Sequence, residues 1–142
     1  MITLSVNYNN TTLAGKTCTG KIEYRLKSTA DDSRYIIEHS VKFGTETEGY
    51  DNIRGHFFKE SKQYNISRTL QFKLTVNESN TLLQYRIESI HKFSDDTMPD
   101  ALTNKYMTFL AENVSRIINI QELGHNLLLI SDTGGPSFIC NY

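Results

Sequence analysis

Four histidines are the residues of this sequence whose chemistry best suits metal binding or acid–base catalysis: His39, His56, His91 and His125. Their spacing forms no short metal-ligand pattern, so the sequence predicts no metal site. His39 occupies an inward position of a predicted strand, where a hydrogen-bonded core histidine is the simplest interpretation and a cavity-lining role is the alternative. His56, beside a glycine, and His125, in a turn, are expected at the surface.

Tyrosine is abundant, with eight residues in 142, and three of them fall at inward strand positions. Tyr24, Tyr35 and Tyr85, together with His39, are therefore candidates to line a ligand pocket inside a barrel. The alternative is that the rings fill the interior of a small barrel and place their hydroxyls at its rim. An enzyme would need two or three of these four side chains to converge in a cleft with shifted pKa values.

Motifs for nucleophilic catalysis and for phosphate binding are missing from the sequence. Gly134-Gly135 suits a hairpin turn and is not followed by Lys-Ser/Thr, and no Gly-x-Ser-x-Gly segment occurs. The acidic pairs Asp31-Asp32 and Asp95-Asp96 are expected to be solvated turns, because a catalytic carboxylate usually needs an apolar setting. We therefore predict a protein that is not an enzyme, with no catalytic residues and no cofactor.

Cys18 and Cys140 are the only two cysteines. Because the N-terminus shows neither the basic nor the apolar region of a signal peptide, two reduced thiols in a cytoplasmic protein are the favoured interpretation. A single disulfide between the two cysteines stays open as the alternative. The longest apolar stretch, 127–130, is far shorter than the roughly 18–20 residues of a membrane span, so none is predicted.

The charge balance argues against a nucleic-acid partner. Fifteen Lys and Arg face sixteen Asp and Glu, for a net charge of −1, whereas nucleic-acid binders carry a basic surface. The basic residues on predicted strands are expected to be solubilising charges on exposed faces: Lys21, Arg25, Lys27, Lys59, Lys62, Arg68 and Lys73. Length and the absence of repeats predict one domain over 1–142, a monomer whose partner is an unknown protein or a small apolar ligand.

Alternation of apolar and polar residues predicts antiparallel strands along most of the chain. The clearest patterns cover 21–27, 35–43 and 70–76, and the last forms a predicted hairpin with 83–87 around a turn at 77–80. Three short strands are expected near the end of the chain, at 117–120, 127–130 and 138–142.

One segment has helical rather than strand periodicity. Its apolar positions follow a stripe with helical spacing: Leu102, Tyr106, Phe109, Leu110, Val114 and Ile117. Thr97-Met98-Pro99-Asp100 fits a capping box with a proline in the first turn. The pattern predicts an α+β fold, with a strongly curved antiparallel sheet or partly closed barrel of about eight or nine strands and one helix near 98–115 packed on it.

With its elements in this order, the sequence resembles the META domain family, which includes HslJ-like bacterial proteins and META-like proteins of trypanosomatid parasites. Three segments carry the resemblance: 49–57, which keeps the family's six-residue glycine spacing; 94–98, before the helix; and the closing helix, strand and hairpin up to Phe138. The family's opening Trp is absent, and Tyr50 stands where one of its cysteines would be.

The resemblance implies a compact domain on a curved sheet with no established catalytic residues. It also implies a stress- or virulence-associated accessory or interaction protein. The alternative function is a lipocalin-like carrier of a small ligand in an aromatic-lined barrel pocket.

Overall fold

The computed structural model describes residues 13–28, 30–44, 47–76, 83–132 and 137–142. In this part of the chain, eight antiparallel strands form one closed barrel in which each strand pairs with the next and the last pairs with the first. The strands, in chain order, are β1 (Thr17–Lys27), β2 (Asp32–Phe43), β3 (Glu48–Lys59), β4 (Lys62–Val76), β5 (Leu83–Lys92), β6 (Ser115–Gly124), β7 (Leu127–Asp132) and β8 (Phe138–Asn141).

Closure of the sheet corrects two details of the predicted fold class. The antiparallel barrel is confirmed, but it is closed, because the last strand pairs with the first. The described chain is mostly β rather than α+β, because its helical residues are limited to α1 (Asp100–Tyr106) and one 3₁₀ turn (Thr108–Leu110).

The alternating residues of β2 and β4 form much of the barrel interior, as their patterns predict. In β2, every second side chain from Tyr35 to Phe43 is buried, and in β4 the same holds for Leu70, Phe72 and Leu74. The hairpin of β4 and β5 is confirmed by their antiparallel register. Its predicted turn at 77–80 and the Gly134-Gly135 turn lie outside the described residues.

Strand β1 keeps its alternation but leaves the barrel at its far end. Ile22 is buried, whereas Tyr24 and Leu26 are 46% and 39% exposed. The reason is that β1 pairs with β2 along its whole length, but with β8 only at Thr19 and Gly20. The second half of β1 therefore pairs with β2 alone and has no strand of the described chain on its other side.

A disulfide between Cys18 and Cys140 joins β1 to β8, with 5.3 Å between the two Cα atoms. The favoured interpretation of two free thiols is therefore wrong, and the open alternative is the observed state. The bond lies where the register of β1 and β8 is short, so it reinforces the joint that closes the barrel.

The helix predicted at 98–115 is real but much shorter. It ends at Tyr106, and Asn113 adopts a left-handed conformation with φ of 59° before β6 begins. Glu112 forms a bridge with Ile87, and the Asn113 N–H donates to the Ile87 carbonyl at 2.8 Å. The Ile87 carbonyl of β5 thus has a hydrogen-bond partner, which a helix that continued through residue 113 would not supply.

The predicted capping box at Thr97 is also wrong. The helix begins after Pro99, and no side chain caps it. The Thr97 hydroxyl instead accepts a hydrogen bond from the Asn65 N–H, at 2.8 Å. This contact ties the chain before the helix to β4.

We call residues 93–114, between β5 and β6, the cap segment, because they cover one end of the barrel. Met98, Met107 and Leu110 of this segment are buried in one core cluster with Phe57 and Ile66 of the sheet. Leu102 and Tyr106 of α1 pack against the same cluster, so the helix packs on the sheet as expected. Apolar burial across this contact is the main force that holds the segment in place.

A buried ion pair fastens the cap segment to β4. The Arg68 Nε donates to Asp96 Oδ2 at 2.8 Å, and Arg68 Nη2 donates to the Met98 carbonyl at 3.2 Å. The N–H groups of Ser67 and Met98 also donate to the Asp96 carboxylate. Burial by itself would raise the pKa of Asp96, but the hydrogen bonds from Arg68 and Ser67 outweigh it and keep that pKa below its usual value.

Both residues of this pair were expected at the surface, and both expectations are wrong. The Arg68 side chain is 5% exposed and that of Asp96 is fully buried, whereas its neighbour Asp95 is exposed as predicted. Asp31 is also not a solvated turn residue. Its carboxylate accepts hydrogen bonds from Tyr106 and Lys59, which lower the pKa of Asp31.

Candidate ligand-binding site

The barrel interior contains a cavity of about 70 Å³, which is partly open to solvent. The enclosed part therefore suits a small ligand or one end of a larger ligand. The walls come from all eight strands and the 3₁₀ turn: Ile22, His39, Val41, Phe43, Asp51, Leu70, Phe72, Leu74, Tyr85, Phe109, Ile118, Ile120, Ile130, Asp132 and Phe138.

Most of this wall is apolar, and four side chains supply its polar groups: His39, Asp51, Tyr85 and Asp132. An apolar cleft with a few placed polar groups is the usual form of a small-molecule site. The apolar walls arise from the alternation of the strands, because every inward side chain of a small closed barrel meets the same lumen.

His39 and Asp51 form a buried pair on the neighbouring strands β2 and β3. Their side chains are 5% and 9% exposed, and His39 Nδ1 lies 2.7 Å from Asp51 Oδ2. Since a carboxylate only accepts, His39 Nδ1 donates in this bond. The His39 ring also stacks on Phe138 with 4.7 Å between centroids.

Each member of this pair has one polar atom left over. Neither His39 Nε2 nor Asp51 Oδ1 has a hydrogen-bond partner among the residues that the structure describes, although both atoms are buried. An unpaired buried polar atom costs about 1–3 kcal/mol. The pair is therefore incomplete as a structural element, in contrast to the Arg68–Asp96 pair.

Tyr85 lies deep in the wall near several charges. Burial raises the pKa of Tyr85, and the negative charge of Asp51 raises it further, so its hydroxyl stays protonated at neutral pH. Asp132 accepts a hydrogen bond from Arg116 at 3.2 Å, and Arg116 also donates to the Thr108 carbonyl.

The cavity reaches the surface on one side of the barrel. Five of its lining residues keep partial exposure: Tyr85, Phe109, Ile130, Asp132 and Phe138. They belong to β5, the 3₁₀ turn, β7 and β8. The opening therefore lies where the end of the cap segment meets these strands.

The structure brings together two of the four predicted pocket residues. His39 and Tyr85 line the cavity, whereas Tyr24 and Tyr35 do not. Tyr35 is buried in the core beside the cap segment, where burial raises its pKa to about 12. Tyr24 stacks on Tyr35, with 5.3 Å between ring centroids, at the exposed end of β1. No cleft contains all four side chains.

Asp51 and Asp132 are lining residues that the sequence analysis missed. For Asp51 a signal existed, because the buried residues Gly49, Ile53 and Phe57 place it in the inward register of β3. Asp132 carries the same signal, because it follows Leu128 and Ile130 at alternate positions of β7. Among the described residues, no three His, Cys, Asp or Glu side chains lie close enough to hold a metal ion.

Comparison with known families matches residues 55–140 to the family described as "FidL-like putative membrane protein". The match spans more than half of the chain, and no META family model matches, so the resemblance to the META family is wrong. No curated protein matches the chain. Within the described residues, no helix combines the length and the apolar character that crossing a membrane requires.

The glycine spacing that suggested the META family has a structural explanation in the barrel itself. A side chain at Gly55 would collide with the backbone of Ile36, and one at Gly49 would collide with the Phe72 ring. Glycine is therefore needed at both positions for the close approach of neighbouring groups. This requirement explains the spacing from the geometry of this barrel alone.

Proposed function

The chain belongs to the FidL-like family, and from this membership and the geometry of the barrel we propose that it is a binding protein that holds a small apolar ligand in its lumen. The observation that carries the proposal is the cavity, which is lined mainly by apolar side chains and is open on one side. A barrel serving only as a scaffold gains stability by filling its interior. An unfilled, apolar interior supports a lipocalin-like role.

We also propose that the barrel works in an oxidising compartment outside the cytoplasm. The Cys18–Cys140 disulfide supports this placement, because disulfides persist in extracellular and periplasmic settings and are rare in the cytosol. The family description adds support for a location at a membrane. A monomeric state without a nucleic-acid partner stays a prediction from length and charge.

A fluorescent probe tests the binding function directly. N-phenyl-1-naphthylamine is apolar and brightens on leaving water, and the chain contains no tryptophan to interfere. We expect the oxidised protein to enhance its fluorescence in a saturable way. Val41→Phe should weaken binding at least about tenfold, because Val41 lines the cavity and a larger ring fills it.

Lys42→Phe is the matched control, because Lys42 lies next in β2 and is exposed. It adds the same ring to the outer face and should leave the probe affinity unchanged. Equal loss in both variants, or no saturable fluorescence in the wild type, would contradict the proposal. Circular dichroism of each variant should show that the barrel is still folded.

A further inference from the structure

We infer that the ligand carries an uncharged hydroxyl group, which donates a hydrogen bond to Asp51 Oδ1, the free oxygen of the His39–Asp51 pair, while its apolar part fills the cavity. This inference rests on the proposed function, because it requires that the lumen holds a ligand. The inference concerns the polar group of that ligand, because the apolar walls do not indicate which polar group it carries.

The first step of the argument is the position of the two unpaired atoms. His39 and Asp51 both line the cavity, and the residues are 4% and 6% exposed. His39 Nε2 and Asp51 Oδ1 lack partners among the described residues, whereas their other polar atoms bond to each other at 2.7 Å. A ligand group that reaches Asp51 Oδ1 at the cavity wall would therefore supply a hydrogen bond that the fold leaves unmade.

The second step is the charge of the wall. Asp51 is paired with His39, and Asp132 is paired with Arg116 at 3.2 Å. Neither cationic group is left without its own carboxylate. An anionic head group would therefore find no unpaired positive charge, and Asp51 Oδ1 would repel it.

The third step is the hydrogen-bonding capacity of the ligand. Asp51 Oδ1 only accepts, so the ligand must donate to it. A hydroxyl has one hydrogen, which it donates to Asp51 Oδ1, and its oxygen can accept a further hydrogen bond. A carboxylate or an ether has no hydrogen to donate.

Three probes with the same chain length separate these possibilities: 1-octanol, octanoate and 1-methoxyheptane. Their binding to the oxidised full chain can be followed by chemical-shift changes in ¹H–¹⁵N spectra. We expect 1-octanol to bind at least about tenfold more tightly than either of the others, which is the typical effect of a hydrogen bond to a charged group.

A double variant, His39→Phe/Asp51→Leu, tests whether the pair causes this preference. It replaces both polar side chains by apolar ones and keeps a ring to stack on Phe138, so the barrel should stay folded. In this variant 1-octanol and 1-methoxyheptane should bind equally. Persistence of the preference would overturn the assignment to the pair.

The results also separate this inference from the proposed function. If all three probes bind to the wild type with similar affinity, or octanoate binds most tightly, the hydroxyl inference is wrong and the apolar binding function stands. If none of them binds and N-phenyl-1-naphthylamine does not bind either, both proposals are wrong.

Discussion

Asp96 and Asp51 are both buried carboxylates, but their hydrogen bonding differs. Both oxygens of Asp96 accept hydrogen bonds, from Arg68 and from backbone N–H groups. Asp51 has one bonded oxygen and one free oxygen. Buried polar atoms usually have hydrogen-bond partners. Asp96 therefore stabilises the fold with all its polar atoms paired, and the free oxygen of Asp51 is available for the proposed ligand contact.

Removing one partner of the Arg68–Asp96 pair should strongly destabilise the protein. Arg68→Met removes the buried cation and leaves Asp96 with only the partly exposed Lys92, 3.7 Å away. We expect a loss of about 3–5 kcal/mol in the free energy of unfolding. Urea unfolding at neutral pH measures the loss. The control is Arg25→Met, because the Arg25–Asp32 pair is more than half exposed on both sides and 3.6 Å long. Its removal should cost less than about 1 kcal/mol.

Acid unfolding checks the role of the same pair independently. The pKa of Asp96 is lower in the folded chain than its usual value. Its stabilising contribution is therefore complete above about pH 5 and is lost as the pH falls through the folded-state pKa. Asp96→Asn should lower stability at neutral pH but weaken its further loss on acidification. An unchanged acid dependence would show that Asp96 is not held as an anion.

At the scale of elements, the cap segment shows how tertiary pairing overrides a sequence pattern. The apolar stripe from Leu102 to Ile117 has helical spacing, yet only residues 100–106 form an α-helix. After the helix, Glu112 and Asn113 pair with Ile87 of β5, next to the residues of β5 that pair with β6. Periodicity reports which side chains can share a face, but backbone pairing partners depend on the whole fold.

Two residues of the stripe distinguish the short helix from the predicted long one. Leu110 is 6% exposed and Val114 is 47% exposed, although a continuous helix would bury both on one face. Leu110→Ala should therefore cost about 2–5 kcal/mol. Val114→Ala should change stability by no more than about 0.5 kcal/mol. Chemical unfolding measures both, and similar losses would favour the long helix.

At the scale of the whole molecule, the cavity depends on closure of the barrel. Its walls come from all eight strands, so its shape requires β1 and β8 to be joined. Their register is short, and the Cys18–Cys140 bond lies beside it. The disulfide therefore supports both stability and the shape of the cavity.

Replacing both cysteines should open this joint. The bond links residues 122 positions apart in sequence, so Cys18→Ala/Cys140→Ala should lower the free energy of unfolding by about 2–5 kcal/mol. It should also raise the rate of amide hydrogen exchange in β1 and β8. Urea unfolding and hydrogen exchange measure these effects.

Reductant supplies the control for the cysteine variant. Dithiothreitol should destabilise the wild-type protein by a similar amount and leave the double variant unchanged. If the oxidised wild type and the variant unfold at the same urea concentration, the disulfide does not hold the barrel closed.

Local pattern by itself indicated every described strand except β3, and it showed no known catalytic motif. Alternating side chains must point to opposite faces of a strand, so the burial of Ile37, Phe72 and Leu74 and the inward position of His39 followed from sequence. The same rule would have placed Asp51 in the interior. The pattern gives no information on which of the inward-facing residues contact one another.

Tertiary structure alone decided the closure of the barrel, the Cys18–Cys140 bond, the buried Arg68–Asp96 pair and the limits of the helix. It also selected His39 and Tyr85 for the cavity and left Tyr24 and Tyr35 outside it. The physical reason is common to all of these features. Each feature depends on contacts between residues far apart in the chain, and local periodicity contains no information about those contacts.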